Sequence, residues 1–352
     1  MKKVSSTLGM ALTLLLSGSW VTVDNVAFAD TSANLQTEKF SPQQIQAALN
    51  EAYAKFKDDR TGANATYIPI LGKMPSELFG ISLVTVDGHV YTAGDVDQKF
   101  SMQSISKVFT LAQVIKESGL KAVEDNIGVD ATGDVFNSIE AIETHKGKEM
   151  NPFVNPGAIA TTSMVQGKNR EEIWSKIIGI YNDFAGTKLT VLDEVYKSEA
   201  ATNQRNQAIG KLMFAYGRIK EDPDRATDIY TEQCSVGVDA KNLAAMAATL
   251  ANGGTNPVTH KAVITAEQAE NVMAVMATAG LYDDSGKWLV KTGLPAKSGV
   301  GGGVIAISPG RFGIGAFSPR LDEAGNSVRA QLAIEYVTNA LHANPYDVTP
   351  VK

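Results

Sequence analysis

Gln103-Ser104-Ile105-Ser106-Lys107 sets a serine and a lysine three residues apart, at the head of an apolar run with helical spacing. On a helix that interval puts both side chains on one face, a turn apart. A serine hydroxyl is a weak nucleophile until a base takes its proton, and a neutral amine one turn away can do so. Val108, Leu111, Ala112 and Ile115 continue the apolar face, and Gly119 is a stop signal, so the pattern predicts a helix from Ser104 to about Ser118. A second cluster, Lys297-Ser298-Gly299, stands near the other end, just before an apparent strand. Ser-x-x-Lys by itself also occurs on solvated helix faces, so its meaning depends on the rest of the chain.

Outward from this segment, strand patterns flank a long helical stretch. Gly80 to Val86 alternates apolar and polar residues, Asp87-Gly88 is a hairpin turn, and His89 to Ala93 is the returning strand. Upstream, Ser41, Pro42 and Gln44 form a capping start to a helix whose buried face is Ile45, Leu49, Tyr53 and Phe56. Residues 120 to 285 are mainly helical in pattern, over 171–184, 202–216, 238–251 and 265–279. Strands return at Gly303 to Ser308 and Arg311 to Phe317, around Pro309-Gly310, and a helix from Ser327 to His342 follows. The expected fold is α/β in the α+β sense: an antiparallel sheet flanked by helices, with an inserted all-helical subdomain. Residues 41–119 and 286–352 would build the sheet part and 120–285 the helical part. A cleft between them is the default site for a small ligand.

The 352 residues are 44% hydrophobic and 20% charged, ample for a substantial core. With a net charge of -6 and no basic run, nucleic acid and anionic membrane surfaces are not expected partners. Residues 1–29 read as a signal peptide: Lys2 and Lys3, an apolar core from Leu8 to Leu16, and a small-residue cleavage site at Ala27-Phe28-Ala29. That core is too short for a permanent anchor. Residues 30–40 are a polar leader. The expectation is an exported protein, periplasmic or secreted, free of the membrane after cleavage; an extension that stays attached would leave it cytoplasmic.

Chemistry can be narrowed further by residue type. Cys234 is the only cysteine, so it pairs with nothing in the chain and is either a small core residue or a nucleophile. His89, His145, His260 and His342 fall in no hydrolase signature, and no metal-ligand spacing occurs, so neither a metal nor another cofactor is expected. The run Gly299 to Gly303 lacks the phosphate-loop pattern and leads into a strand; such glycines let backbone N–H groups approach a ligand and hold an oxyanion. Lys107 lies in a first helical turn, where the dipole disfavours an ammonium. Lys297 is either a second positive charge in the cleft or a solvated loop lysine. Glu199 and Asn206 are seven apart, so two turns of one helix would align them on one face, as a surface stripe or part of a site.

Together these segments resemble the serine-dependent glutaminases of the β-lactamase and penicillin-binding-protein fold, over nearly the whole chain from Ser41 to Leu341. The markers stand in family order: Tyr67-Ile68-Pro69, the Ser104 motif, Thr132-Gly133-Asp134 with Phe136-Asn137-Ser138, and Asn151-Pro152 with Asn155-Pro156-Gly157-Ala158-Ile159. Glu194-Val195-Tyr196 to Glu199, Arg205-Asn206, Tyr230 with Gln233-Cys234-Ser235, Gly280-Leu281-Tyr282 and Pro295 to Gly303 complete them. The resemblance implies a single glutaminase domain that hydrolyses L-glutamine to L-glutamate and ammonia, assembled as a homodimer or homotetramer. It implies Ser104 as nucleophile, Lys107 as base, Tyr67 as orienting or proton-shuttling group, and the N–H groups of Ser104 and Val300 as oxyanion donors. Asn155, Glu199, Asn206, Tyr230 and Tyr282 match substrate-binding positions, with Ser298 lining the same pocket. Two departures, Pro156 for the usual alanine and Asp130-Ala131 for a frequent Glu-Pro, touch loop geometry rather than a reacting group.

Two other readings use the same residues. A β-lactamase or transpeptidase would keep the nucleophile, yet residues 108 to 296 contain neither Ser-x-Asn nor Tyr-x-Asn. A non-catalytic exported amino-acid-binding module would have no need of Ser104 beside Lys107.

Overall fold

The computed structural model describes residues 40–348 apart from Glu149, so the expected signal segment and its cleavage site lie outside the described residues. Helix α1 (Pro42–Phe56) opens with a reciprocal cap: Ser41 Oγ accepts from Gln44 N, and the Gln44 side chain accepts from Ser41 N at 2.8 Å. Strands β1 (Gly80–Thr85) and β2 (Val90–Gly94) form the antiparallel hairpin across Asp87-Gly88. Strand β3 (Phe100–Ser101) leads through a 3-10 turn, Gln103–Ile105, into α2 (Ser106–Ser118). Helices α3 (Leu120–Asn126), α4 (Ile139–His145), α5 (Asn155–Met164) and α6 (Arg170–Ala185) follow. Strand β4 (Thr190–Val191) precedes α7 (Asp193–Ala200), α8 (Gln204–Ala215) and α9 (Pro223–Cys234). Next come β5 (Val236–Val238), α10 (Ala240–Ala251), α11 (Ala266–Ala279) and α12 (Ser285–Thr292). Strands β6 (Ala296–Ser298), β7 (Gly303–Ser308) and β8 (Phe312–Phe317) and helix α13 (Val328–Ala340) complete the order.

The main sheet runs β2-β1-β8-β7-β6, antiparallel at every pairing. Period-two alternation sorts its side chains into two cores. Ile81, Leu83, Val304, Ala306 and Ile314 are buried with Leu49 of α1 and Ile334 of α13. On the other face Val84 packs with Ala244, Ala245 and Ala248 of α10. Small residues on α10 meet small residues on β8, which lets the helix close on the strand: a Cβ at Gly313 would stand 2.0 Å from Ala248 N. Helix α10 thus covers the sheet, although by sequence it belongs to the segment expected to be a separate helical part.

That segment is also not wholly helical. Strands β4 and β5 lie within it and pair with β3 as a second sheet, β3-β5-β4. Strands of two and three residues are too short to show an alternation, which is why the helical periodicity on either side hides them. Their effect is local and important. Ser101 pairs with Gly237, and Met102 N donates to Val236 O at 2.8 Å, so the turn that bears Ser104 is fixed to the end of α9.

Candidate active site

Ser104 is not the first residue of an α-helix but the middle of the 3-10 turn before it. Gln103 enters that turn with φ of 51°, a left-handed conformation that costs a non-glycine residue about 1–3 kcal/mol. The Gln103 side chain offsets the strain, donating from Nε2 to Ser101 Oγ and to Glu199 Oε2, each at 3.2 Å. Ser104 is 7% exposed and lines a cavity of about 100 Å³, well below the ~300–1,000 Å³ of sites for drug-sized ligands. Tyr67, Gln103, Asn155, Glu199, Asn206, Tyr230 and Val300 share that lining.

One turn on, Lys107 is buried beneath the serine. Its Nζ donates to Asn155 Oδ1 at 2.8 Å and to the Phe153 carbonyl at 3.1 Å, both neutral acceptors. The rings of Tyr230 and Tyr282 stand 5.7 and 5.9 Å from the same nitrogen. Burial disfavours the ammonium and, against the smaller opposing pull of Cys234 and Glu199, brings the Lys107 pKa down to about 7. Asn155 is the hub: its Oδ1 also accepts from Tyr230 at 3.1 Å, and its Nδ2 donates to Asn206 Oδ1 at 3.0 Å. Asn155 opens α5 with Pro156 in the first turn, where a missing N–H is harmless, so the unusual proline is accommodated.

Glu199 and Asn206 do not share a helix. Glu199 ends α7, Asn206 lies in α8, and the chain breaks at Ala201 to Asn203 between them. Both still reach the pocket, because the break folds α8 back toward it. Glu199 is 5% exposed, and burial drives its carboxyl up to about 7, against the opposing pull of the Gln103 amide and Lys107. The pocket therefore holds a lysine and a carboxyl that both titrate near neutrality. Tyr67 shares no hydrogen bond with this network, although burial of its phenol first, then Tyr282 and Glu199, hold its pKa well above the ordinary tyrosine range. The residue as a whole is 56% exposed at the mouth and makes no hydrogen bond to Lys107; Asn155 and the Phe153 carbonyl hold that amine instead.

Lys297 is a fully buried strand residue, not a solvated loop lysine. Its Nζ donates to Ser298 O at 2.8 Å and lies 4.0 Å from the centroid of the Tyr282 ring. Burial first, and the charge of Lys107 second, hold its pKa well below the ordinary lysine range. Tyr282, left-handed at φ of 58°, and Ser298 each bury a hydroxyl that meets no partner at full hydrogen-bond geometry among the described residues. Burial pushes the Tyr282 pKa up to about 12, with the nearby Ser104 and Ser298 hydroxyls pulling the other way. The glycine run lies against the serine turn: a Cβ on Gly299 would come 2.7 Å from Met102 O and 3.3 Å from Ser104 N. Among the described residues the Ser104 and Val300 amides donate to no backbone carbonyl outside the regular elements, which leaves them available to a ligand. Cys234 is a buried core residue, with burial pushing its thiol up to about 12.

Sequence reasoning missed Gln103 as a site residue, although it adjoins Ser104; nothing in a lone glutamine signals a left-handed backbone. Phe136, which the sequence marks only through the family pattern, lines the cavity with its ring 5.0 Å from that of Tyr282.

An antiparallel sheet between helices, with a serine turn, a lysine buried one turn later and Lys-Ser-Gly on an adjoining strand, places the chain in the class of β-lactamase-like folds. Within that class, the family model described as Glutaminase matches residues 62–346, and the chain belongs to the serine-dependent glutaminase family. It is 54% identical over 306 residues to a glutaminase of Colwellia psychrerythraea, covering 86% of this chain and 98% of that protein. A glutaminase of Mycobacterium marinum is 49% identical over 308 residues, with 88% and 96% covered. Among solved structures, the probable glutaminase ybaS matches with a TM-score of 0.86 at 46% identity, over 88% of this chain and 100% of that one. A probable glutaminase from Bacillus subtilis, complexed with 6-diazo-5-oxo-L-norleucine, matches with a TM-score of 0.77 at 29% identity, over 86% and 96%.

Proposed function

We propose that this enzyme hydrolyses L-glutamine to L-glutamate and ammonia through a glutamyl ester on Ser104. The observation that carries the mechanism is Lys107: a buried amine held only by neutral acceptors, with a pKa near 7, one turn from the serine. As a neutral base Lys107 accepts the Ser104 proton while Oγ bonds to the side-chain carbonyl carbon of glutamine. The oxyanion forms against the Ser104 and Val300 amides. Collapse breaks the C–N bond, and the proton on Lys107 goes to the departing amine, which leaves as ammonia. Water then attacks the ester with Lys107 again taking a proton, which returns to Ser104 as glutamate is released.

The polar groups suit a free amino acid. Ionised Glu199 faces the substrate ammonium, and the neutral amides and hydroxyls of Asn155, Asn206, Tyr230 and Tyr282 suit a zwitterion's remaining groups. Ser298, expected to line the same pocket, is fully buried outside the cavity lining, so its hydroxyl acts from behind that wall, while Tyr67 at the mouth closes over the bound molecule. The ligand of the Bacillus subtilis relative fits this reading, being an L-amino acid with a 5-oxo group where glutamine has its side-chain carbonyl. Purified mature protein releases ammonia and glutamate in equal amounts from millimolar glutamine; no release, with acylation by penicillin instead, would overturn the proposal.

Export and assembly are proposed on narrower grounds. The pattern of Lys2, Lys3, Leu8 to Leu16 and Ala27-Phe28-Ala29 supports export with cleavage before Asp30, which N-terminal sequencing of the host's protein checks. The family resemblance supports a homodimer or homotetramer, checked by light scattering.

A further inference from the structure

The loop that bears Tyr67 is held by side-chain ties rather than by regular structure: Asn64 Nδ2 donates to Met74 O at 2.7 Å, Arg60 pairs with Glu77 at 2.6 Å, and Arg320, partly exposed, donates to Arg60 O, Gly62 O and Glu77. From Lys57 to Phe79 its only regular element is a 3-10 turn at Leu71–Lys73, with an isolated bridge between Ala63 and Leu321. A small cluster of Ala65, Ile68 and Leu71 seats it on Val195, Val300 and Leu321. The Tyr67 side chain, half exposed, makes no hydrogen bond among the described residues, so its position is that of the loop.

Beneath those ties, both ends of the loop also converge on one buried side chain. Arg329, in the first turn of α13, is fully buried. Its Nη1 donates to Lys57 O at 2.9 Å, at the loop's start. Its Nη2 donates to Ser76 O at 2.6 Å and Leu78 O at 3.1 Å, at the loop's end. Nε donates to Ser318 Oγ at 2.8 Å, and the Ser318 amide donates in turn to Gly302 O at 2.9 Å, within the glycine run that carries Val300. The guanidinium also lies 5.4 Å from the centroid of the Phe79 ring. Every hydrogen-bond acceptor is neutral. A buried cation without a bonded carboxylate is a poor source of stability, whereas a rigid fork of donors is well suited to fixing geometry.

We propose that Arg329 is a positioning residue for the reaction: it clamps the Tyr67 loop shut on itself and onto the glycine-run side of the pocket, and so sets where Tyr67 meets the substrate. This rests on the glutaminase reading of the site.

The test uses full-length protein with Arg329→Gln, Arg329→Lys and Tyr67→Ala, alone and combined. Hydrogen–deuterium exchange over residues 58–78 reads the loop, and ammonia release reads KM and kcat. Arg329→Gln speeds exchange in that segment and raises KM for glutamine about tenfold, with a smaller change in kcat, while Arg329→Lys restores part of both. In the Tyr67→Ala background the same Arg329→Gln change adds little to KM, because the residue it positions is gone. Accelerated exchange with unchanged KM, or an equal KM increase in both backgrounds, overturns the proposal, as does wild-type protection of the loop in Arg329→Gln. Should Arg329→Gln fail to fold, Ser318→Ala removes a single acceptor and gives a smaller KM rise with the same dependence on Tyr67; an unchanged KM there overturns the proposal. If the wild-type protein releases no ammonia, the glutaminase reading fails, and the exchange measurement alone decides the clamp.

Discussion

Replacing Glu199 by glutamine should stabilise the folded protein and disable it at once, with the two effects separated by pH. Burial carries this carboxyl from its ordinary 4.5 up to about 7, so the folded state resists its ionisation. Below pH 4.5 the group is protonated in folded and unfolded chains alike, and its burial imposes no ionisation penalty. Between 4.5 and 7 the unfolded chain gains by ionising while the folded one does not, and above 7 the full penalty, about 3 kcal/mol, is in place. A glutamine has the same shape, and its Oε1 can still accept from the Gln103 amide that now bonds Glu199 at 3.2 Å. Urea unfolding should therefore find Glu199→Gln about 3 kcal/mol more stable than wild type at pH 8, and within about 1 kcal/mol of it at pH 5. Ammonia release should move the other way, because an ammonium left without its buried partner costs roughly 2–5 kcal/mol, or about thirtyfold or more in kcat/KM. A variant no more stable at pH 8 than wild type, or a stability gain equal at both pH values, would refute the argument that Glu199 is held against its own ionisation to receive a charged substrate.

Further consequences follow from the same geometry. Ser104→Ala abolishes turnover while leaving the far-UV circular dichroism and the unfolding transition close to wild type; near-normal turnover removes the serine from the mechanism. The pH profile of kcat/KM rises from pH 6 to 8, since Lys107 is a base only once deprotonated and Glu199 binds an ammonium only once ionised, and both change near 7; a flat profile over that range contradicts both assignments. Gly299→Ala inserts a methyl 2.7 Å from Met102 O, displacing the strand end from the serine turn, so kcat falls about a hundredfold or more as the oxyanion donors separate. Unaltered kcat in a folded Gly299→Ala protein argues against Val300 as a donor.

Much of this site was legible in residue types and spacing. Ser-x-x-Lys, the alternating strand at 80–86, the strand at 303–308 beside Pro309-Gly310 and the hairpin at Asp87-Gly88 each carry a local physical reason, and the structure has elements at those places. What escaped depends on long-range contacts or on backbone states that composition does not mark. The break between α7 and α8 falls in Ala201-Thr202-Asn203, which contains neither glycine nor proline, so periodicity runs across it and Glu199 looked collinear with Asn206. Gln103 is left-handed because Ser101 and Glu199 hold its side chain, partners two and ninety-six residues away. Lys297 reads as a loop lysine until the Tyr282 ring and the Ser298 carbonyl enclose it. Helix α10 reads as part of a helical subdomain until Gly313 and its own alanines bring it onto the sheet.

The covalent step offers the most direct test. Protein mixed with L-glutamine, quenched in acid within the first turnover and digested should carry one glutamyl group on the peptide containing Ser104, with none on the Ser104→Ala protein. Turnover of glutamine with no acylated Ser104 peptide at any quench time, or a glutamyl group on another residue such as Cys234, would contradict the account at its centre.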